Sequence, residues 1–285
     1  MPVSTWAIAE PRKLTFDDPV TSLNVRIVGG AVNVVGTDEP TARLEVSAIE
    51  GPPLIVTQEG GTLTVAYEGL PWNDFLKWFD RKGWHRSAVV SLAVPAGSAV
   101  AVGVVGAGAV VSGIRGRTDV RGVSGDSTLV GLAGPVRAET VSGSVEAQAV
   151  TGELRFQTVS GDLTVVEGAG ASVRAESVSG NMVLDLDPSG KPTDIRLNTV
   201  SGEVAIRLPH PADATVEANT TSGTLSNGFE DLRVSGQWGA KRITGTLGAG
   251  TGQLRATTLS GSIALLRRPP AEDDPYDAEP TGKVL

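Results

Sequence analysis

From about Ser112 to Leu265 the chain alternates apolar and polar side chains with a period of two, and glycine interrupts the alternation every ten residues or so. Counting back from a recurring hydroxyl makes the pattern plain. The positions six, four and one before it are apolar or small in Val136, Ala138, Val141; Val145, Ala147, Val150; Leu154, Phe156, Val159; Val173, Ala175, Val178; Ile195, Leu197, Val200; and Leu254, Ala256, Leu259. The apolar set continues after the glycine with Leu163 and Val165, Met182 and Leu184, Val204 and Ile206, and Ile263 and Leu265. Arg137, Glu139, Glu146, Arg155, Arg174, Glu176, Arg196 and Arg255 take the other parity. Strict alternation predicts short strands with one buried and one solvated face. The parity slips by one at each interruption, which predicts a corner where glycine accepts a positive φ.

The interruptions share a composition. An apolar residue precedes Ser-Gly or Thr-Gly in Val111-Ser112-Gly113, Val123-Ser124-Gly125, Val141-Ser142-Gly143, Val150-Thr151-Gly152, Val159-Ser160-Gly161, Val178-Ser179-Gly180, Val200-Ser201-Gly202, Ile243-Thr244-Gly245 and Leu259-Ser260-Gly261, with Thr221-Ser222-Gly223 close to it. Between the wider-spaced members sit further corners at Gly134, Gly170, Ser189-Gly190, Pro209-His210-Pro211, Ser235-Gly236 and Gly252. A strand and a corner of ten residues cannot bury an apolar face alone, whereas stacked copies can. The expected fold is therefore all-β, a single-stranded β-helix or β-solenoid. A spacing of ten residues leaves two or three strands per coil open. Val25, Ile27, Val32 and Val34 around Gly29-Gly30, Leu44 to Ile49, and Leu63, Val65 and Tyr67 fill the same slots upstream. The predicted organisation is an N-terminal extension (1–19), one repeat domain (20–267) with a helical insertion at 70–86, and a disordered acidic, proline-rich tail (268–285).

The repeats in Glu139-Thr140-Val141-Ser142-Gly143-Ser144-Val145 and Gln157-Thr158-Val159-Ser160-Gly161-Asp162-Leu163 resemble the bacterial putative-adhesin repeats, also called the toastrack family, a group of unknown function. The resemblance runs from about Leu23 to Leu265. It implies a single-stranded β-helix with no chemistry in its motifs. Some relatives are fused to membrane segments of envelope-stress systems, where the domain is regarded as an assembly platform. The chain departs from those in lacking a convincing membrane segment.

Composition agrees with a structural repeat. Gly makes up 36 of 285 residues, about twice the ordinary usage of about 7%. Without Cys, and with only His85 and His210, the chain has no disulfide, no thiolate and no His-rich metal cage. Lys and Arg number 24 against 32 Asp and Glu, spread evenly, so no segment has the cationic footprint a nucleic acid requires. The N-terminus has no basic, apolar leader pattern, and the expected location is cytoplasmic. Residues 87–114 carry no charge and are long enough to span a bilayer, but Pro95, five Gly and a Val100, Val102, Val104 alternation read as strands.

Candidate chemistry is sparse. The hydroxyls of Ser124, Ser142, Thr151, Ser160, Ser179 and Ser201 would form rows that satisfy turn amides, and neither His stands in register to serve as a base. Two residues after each hydroxyl come Asp126, Ser144, Glu153, Asp162, Asn181, Glu203, Thr224, Thr246 and Ser262, too irregular for a Ca²⁺ row and read as a solvated face. No catalytic residue, metal site or cofactor is expected. The exception to the pattern is 70–86, where Trp72, Phe75, Leu76 and Phe79 make one helical stripe. It reads either as a cap on the stack or as a docking element built from Trp72, Phe75, Lys77, Trp78, Phe79, Arg81, Lys82 and Trp84 for a partner groove or an anionic membrane surface. The expected function is a non-catalytic scaffold for protein partners or self-association. The alternatives are a carbohydrate-active β-helix enzyme and a membrane-surface scaffold.

Overall fold

The computed structural model describes residues 3–67, 86–169, 172–187, 194–209, 211–237 and 239–268. Among them every regular element is a strand, and the strands form two sheets. Each coil contributes one strand to each sheet, which settles the number per coil at two.

Sheet A runs parallel, in spatial order, through β7 (Thr62–Tyr67), β3 (Ser22–Ile27), β9 (Ala99–Val104), β11 (Thr118–Gly122) and β13 (Val136–Glu139). It continues through β15 (Leu154–Gln157), β17 (Ser172–Ser177), β19 (Asp194–Thr199), β25 (Gln253–Thr258) and β21 (Ala214–Thr220). Sheet B matches it with β8 (Ser87–Pro95), β4 (Gly29–Thr37), β10 (Gly108–Ser112), β12 (Ser127–Val130) and β14 (Val145–Gln148). Then come β16 (Leu163–Gly168), β18 (Met182–Leu186), β20 (Val204–Leu208), β26 (Ile263–Arg267) and β22 (Leu225–Asn227). Residues 87–114, the uncharged run, are the strands β8, β9 and β10. No helix among the described residues is long and apolar enough to cross a membrane.

Both ends depart from a simple solenoid. At the N-terminal end β6 (Leu54–Glu59) and β1 (Ser4–Ile8) extend sheet A antiparallel, and β5 (Ala42–Glu50) and β2 (Arg12–Phe16) extend sheet B. The first residues, read from sequence as an extension, thus supply the outermost strand of each sheet. At the C-terminal end β24 (Ala240–Leu247) and β23 (Leu232–Gln237) extend sheet A alone. Ser235-Gly236 and Ile243-Thr244-Gly245, which the sequence pattern offered as corners, therefore lie inside strands of this hairpin. Hairpin pairing uses the same alternation as a coil, so local sequence does not separate them.

The layers are not filled in chain order. After β20 the chain passes over one place to lay down β21 and β22, builds the hairpin, and returns to fill the vacant place with β25 and β26. At the other end β7/β8 and β9/β10 flank β3/β4 on its two sides.

The inward residues six and four before each hydroxyl are buried, from Val136 and Ala138 to Leu254 and Ala256, and so are those after the glycine, such as Leu163, Met182, Val204 and Ile263. They form one core between the sheets, with Phe156 among its largest side chains. Each such Val or Leu contributes about 1.5–3 kcal/mol by leaving water. The side chain one before the hydroxyl varies: Val123 and Val150 are buried, whereas Val159, Val178, Val200 and Leu259 are exposed, and that difference shapes the surface.

Candidate functional site

The Ser-Gly corners carry the chain from sheet A to sheet B and stack into one edge of the molecule. Along this edge Gly125, Gly143, Gly161, Gly180, Gly202, Gly261 and Gly223 follow one another in successive coils. A Cβ on any of them would fall 1.8–2.2 Å from a carbonyl oxygen of the preceding coil. Close backbone approach is the reason for glycine here. The left-handed conformations expected at these corners occur at the opposite edge, at Gly113, Gly131, Ala149 and Glu167, with φ between 51° and 67°. Only half of those positions are glycine, so glycine marks the tight contact rather than the left-handed turn.

Two hydroxyl rows clamp the edge. The Gly143, Gly161, Gly180, Gly202, Gly223 and Gly261 amides donate to Thr140, Thr158, Ser177, Thr199, Thr220 and Thr258 three residues earlier, at 2.7–3.1 Å. The serine hydroxyls have a different task. Ser142, Ser160, Ser179 and Ser201 donate to the carbonyls of Val123, Val141, Val159 and Val178 one coil back, at 3.1–3.4 Å. The turn amide is thus satisfied by the residue two before the serine, a Thr or Ser whose recurrence was legible in the sequence. Thr151 belongs to the opposite corner, where Gly134 and Gly152 approach each other.

Part of the acid row bonds along the same edge. Asp126 and Asp162 accept from the Ser144 and Asn181 amides of the next coil at 2.9 and 2.7 Å, and Asn181 accepts from Glu203 N–H at 3.0 Å. Glu153 sits at the other corner and Thr246 in the hairpin strand β24, so the nine positions are not one row. Among the described residues no three metal-ligating side chains gather.

What remains for a partner is the aliphatic residue before the serine. Val159, Val178, Val200 and Leu259 are 43–53% exposed, and Val141 is half-buried. From the coil of Val159 onward these side chains turn away from the core, against the sequence expectation of a third core position, whereas Val123 at the same edge is buried. The geometry stacks them, because Ser160, Ser179, Ser201, Ser260 and Ser222 N–H bond to the carbonyls of Val141, Val159, Val178, Val200 and Leu259 at 2.9–3.0 Å. The result is a straight aliphatic ridge, one side chain per coil, on a backbone fixed from both sides.

The outer face of sheet A is charged. Arg137, Arg155, Arg174, Arg196 and Arg255 lie directly opposite one another in five neighbouring strands. Stacked like charges repel, and flanking acids offset this. Arg155 pairs with Glu153 at 3.0 Å, Arg174 reaches Asp194 at 3.3 Å and Glu153 at 3.6 Å, and Arg255 meets Glu217 at 3.2 Å. Two clefts of about 220 and 160 Å³ open between these arginines, with Glu153 and Glu176 as their respective carboxylates. A third depression, about 340 Å³ on sheet B between Lys13, Val35, Arg43 and Ala93, has Glu45. Each cleft is lined by a single carboxylate, whereas glycoside cleavage uses a facing pair.

One acid is held firmly. Arg207 Nε donates to Asp185 at 2.8 Å and Arg268 reaches it at 3.3 Å, so the Arg207 hydrogen bond, followed by the charges of Arg268 and Arg207, keeps the Asp185 carboxyl below its ordinary range despite burial. The pairing fastens three neighbouring coils together.

The predicted docking residues Trp72, Phe75, Lys77, Trp78, Phe79, Arg81, Lys82 and Trp84 lie outside the described residues, as do His85, His210 and the tail beyond Arg268. Arg86, the last of that segment, is buried with its guanidinium 5.4 Å from the centre of the Tyr67 ring, rather than offered to a partner.

No protein-family model matches the chain, and no curated protein matches it. Among solved structures it is similar to a putative cell adhesion protein from Clostridium sporogenes, at 11% identity and a TM-score of 0.31, over 91% of this chain and 100% of that one. It is also similar to a putative lipid binding protein from Parabacteroides distasonis, at 12% identity and a TM-score of 0.43, over 92% and 98%. The all-β repeat architecture agrees with the adhesin-type repeats that the Val-Ser-Gly motif resembles.

Proposed function

We propose that the protein is a non-catalytic β-solenoid scaffold that binds a protein partner along its Ser-Gly edge. The observation that carries this reading is the ridge of Val159, Val178, Val200 and Leu259, exposed in consecutive coils. Isolated surface valines are ordinary, but a contiguous aliphatic row is the kind of surface that partners cover. Its rigidity favours binding, because the fixed backbone leaves little ordering entropy to lose. The serine hydroxyls and the Asp126 and Asp162 carboxylates beside it are occupied in holding coil to coil, which weighs for a binding role over a catalytic one.

The test is affinity purification from the native cell with wild type, a Val178→Ser/Val200→Ser variant and a Trp78→Ala/Phe79→Ala variant. The ridge reading expects a partner lost from the ridge variant and retained by the aromatic one. Loss from the aromatic variant alone moves the docking site to residues 70–86.

A further inference from the structure

The two ends of the stack are built differently. At the C-terminal end sheet B stops at β22, three residues long, while the β23–β24 hairpin overhangs it. Phe229 and Leu232 are buried there, and the Asn227 side chain bonds the Phe229 and Leu232 carbonyls at 2.8 and 3.0 Å. That end is closed.

The N-terminal end is flush. β1 and β2 terminate the two sheets at the same level, each five residues long, and among the described residues nothing pairs with their outer edges. Between them Trp6 meets Phe16 edge to face, with ring centres 5.5 Å apart, while Trp6 and Leu14 remain half-buried against the core. Exposed strand edges invite pairing, and natural ones are blunted by charge, proline, a bulge or shortness. β22 is short, β23 carries Arg233 and β2 carries Arg12 and Lys13, but β1, Ser4–Ile8, has no charge and no proline.

We infer that the flush end is an interface with a second copy of this chain, β1 of each copy pairing antiparallel with β2 of the other. The strands of the two sheets run in opposite directions. A two-fold axis along the strand direction therefore sets β1 against β2 twice and continues both sheets through the dimer. With Trp6 facing Leu14 of the second copy, inward residues meet inward residues and both half-buried apolar side chains are covered. Strand register then sets Ala7 opposite Lys13. This arrangement sets the basic strand β2 beside the uncharged β1 rather than beside a second β2, which would put two Arg12 and two Lys13 side chains on neighbouring strands. A flush, self-complementary end explains a second copy better than a lone extended peptide, which would pair with one sheet and leave the other edge bare. The contact is isologous and uses the flush end of both copies, so assembly through it stops at the dimer.

Sedimentation velocity across a concentration series reads the mass. Wild type is expected to approach twice the chain mass of 29.3 kDa and to go no further. Ala7→Lys, which faces Lys13 of the second copy, is expected to be monomeric with an unchanged far-UV circular dichroism spectrum and a melting midpoint that no longer rises with protein concentration, whereas Ala7→Glu keeps the dimer. Val234→Lys on the edge of β23 also keeps it. A wild type that stays monomeric, a mass rising past the dimer, a dimer that survives Ala7→Lys, or equal loss in both Ala7 variants would each overturn the assignment. The ridge takes no part in this contact, so ridge variants remain dimeric and the two readings fail separately.

Discussion

Gly180 lies so close to the coil beneath it that a Cβ would stand 1.8 Å from the carbonyl oxygen of Gly161. The atom in the way is backbone on a strand paired on both sides, so it cannot swing aside as a side-chain tip would. Gly180→Ala should therefore cost roughly 3 kcal/mol through forced separation of two coils. Gly97→Ala, with nothing within 4 Å, should stay within about 0.5 kcal/mol. Urea midpoints of the two variants decide whether close approach is what glycine supplies.

The two hydroxyl rows predict unequal effects for adjacent threonine and serine. Thr199 is buried, and its oxygen receives the Gly202 amide at 3.1 Å. Thr199→Val strands that amide and should cost about 1–3 kcal/mol. Ser201 is exposed, and the Val178 carbonyl it bonds already accepts from Val200 and Ser201 N–H. Ser201→Ala should change stability by less than about 0.5 kcal/mol. Equal effects in equilibrium unfolding would remove the distinction.

Asp185 gives the fold an acid-sensitive fastening. Its folded pKa is depressed, chiefly by the Arg207 hydrogen bond, so its contribution is fully present above the unfolded value of about 3.9 and is lost as pH falls through the lower folded value. Asp185→Asn should lower stability at neutral pH and flatten the decline below about pH 4. Thermal melts of both proteins across that range check the sign.

The order in which layers are filled makes the last coil internal. Ending the chain after Gly252 removes β25 and β26, which stand between β19/β20 and β21/β22. Residues 211–247 should then lose amide-exchange protection while β11 to β16 keep theirs. In a solenoid filled in chain order the same cut would trim only an end. Retained protection in β21 and β24 would contradict the observed order.

Valine has two fates in one motif. Val150 is buried at one corner and Val178 is half exposed at the other, although both precede a hydroxyl and a glycine. Val150→Ala should cost about 2 kcal/mol. Val178→Ala should cost less than about 0.5 kcal/mol.

These valines mark the limit of what the chain order conveys. Period-two alternation by itself determined the strands, their inward parity in Val136, Leu154 or Ile195, and the stacking of repeats, because a ten-residue strand and corner has no other way to bury its apolar face. The resemblance carried by Thr140 to Gly143 pointed to the same architecture. The recurring Thr before Val-Ser-Gly was equally readable as an acceptor, once a glycine amide three residues on was seen to need one. Two strands per coil, the exposure of Val159 and Leu259, and the neighbours of Gly180 were decided only in three dimensions. Each depends on contacts between residues about 18 to 60 positions apart, where the corner fixes which way a side chain turns. The same holds for the strands that take places out of order and for the flush edge at β1. A local alternation looks alike in a coil and in a hairpin, and only the packing of whole layers distinguishes an interior strand from an edge.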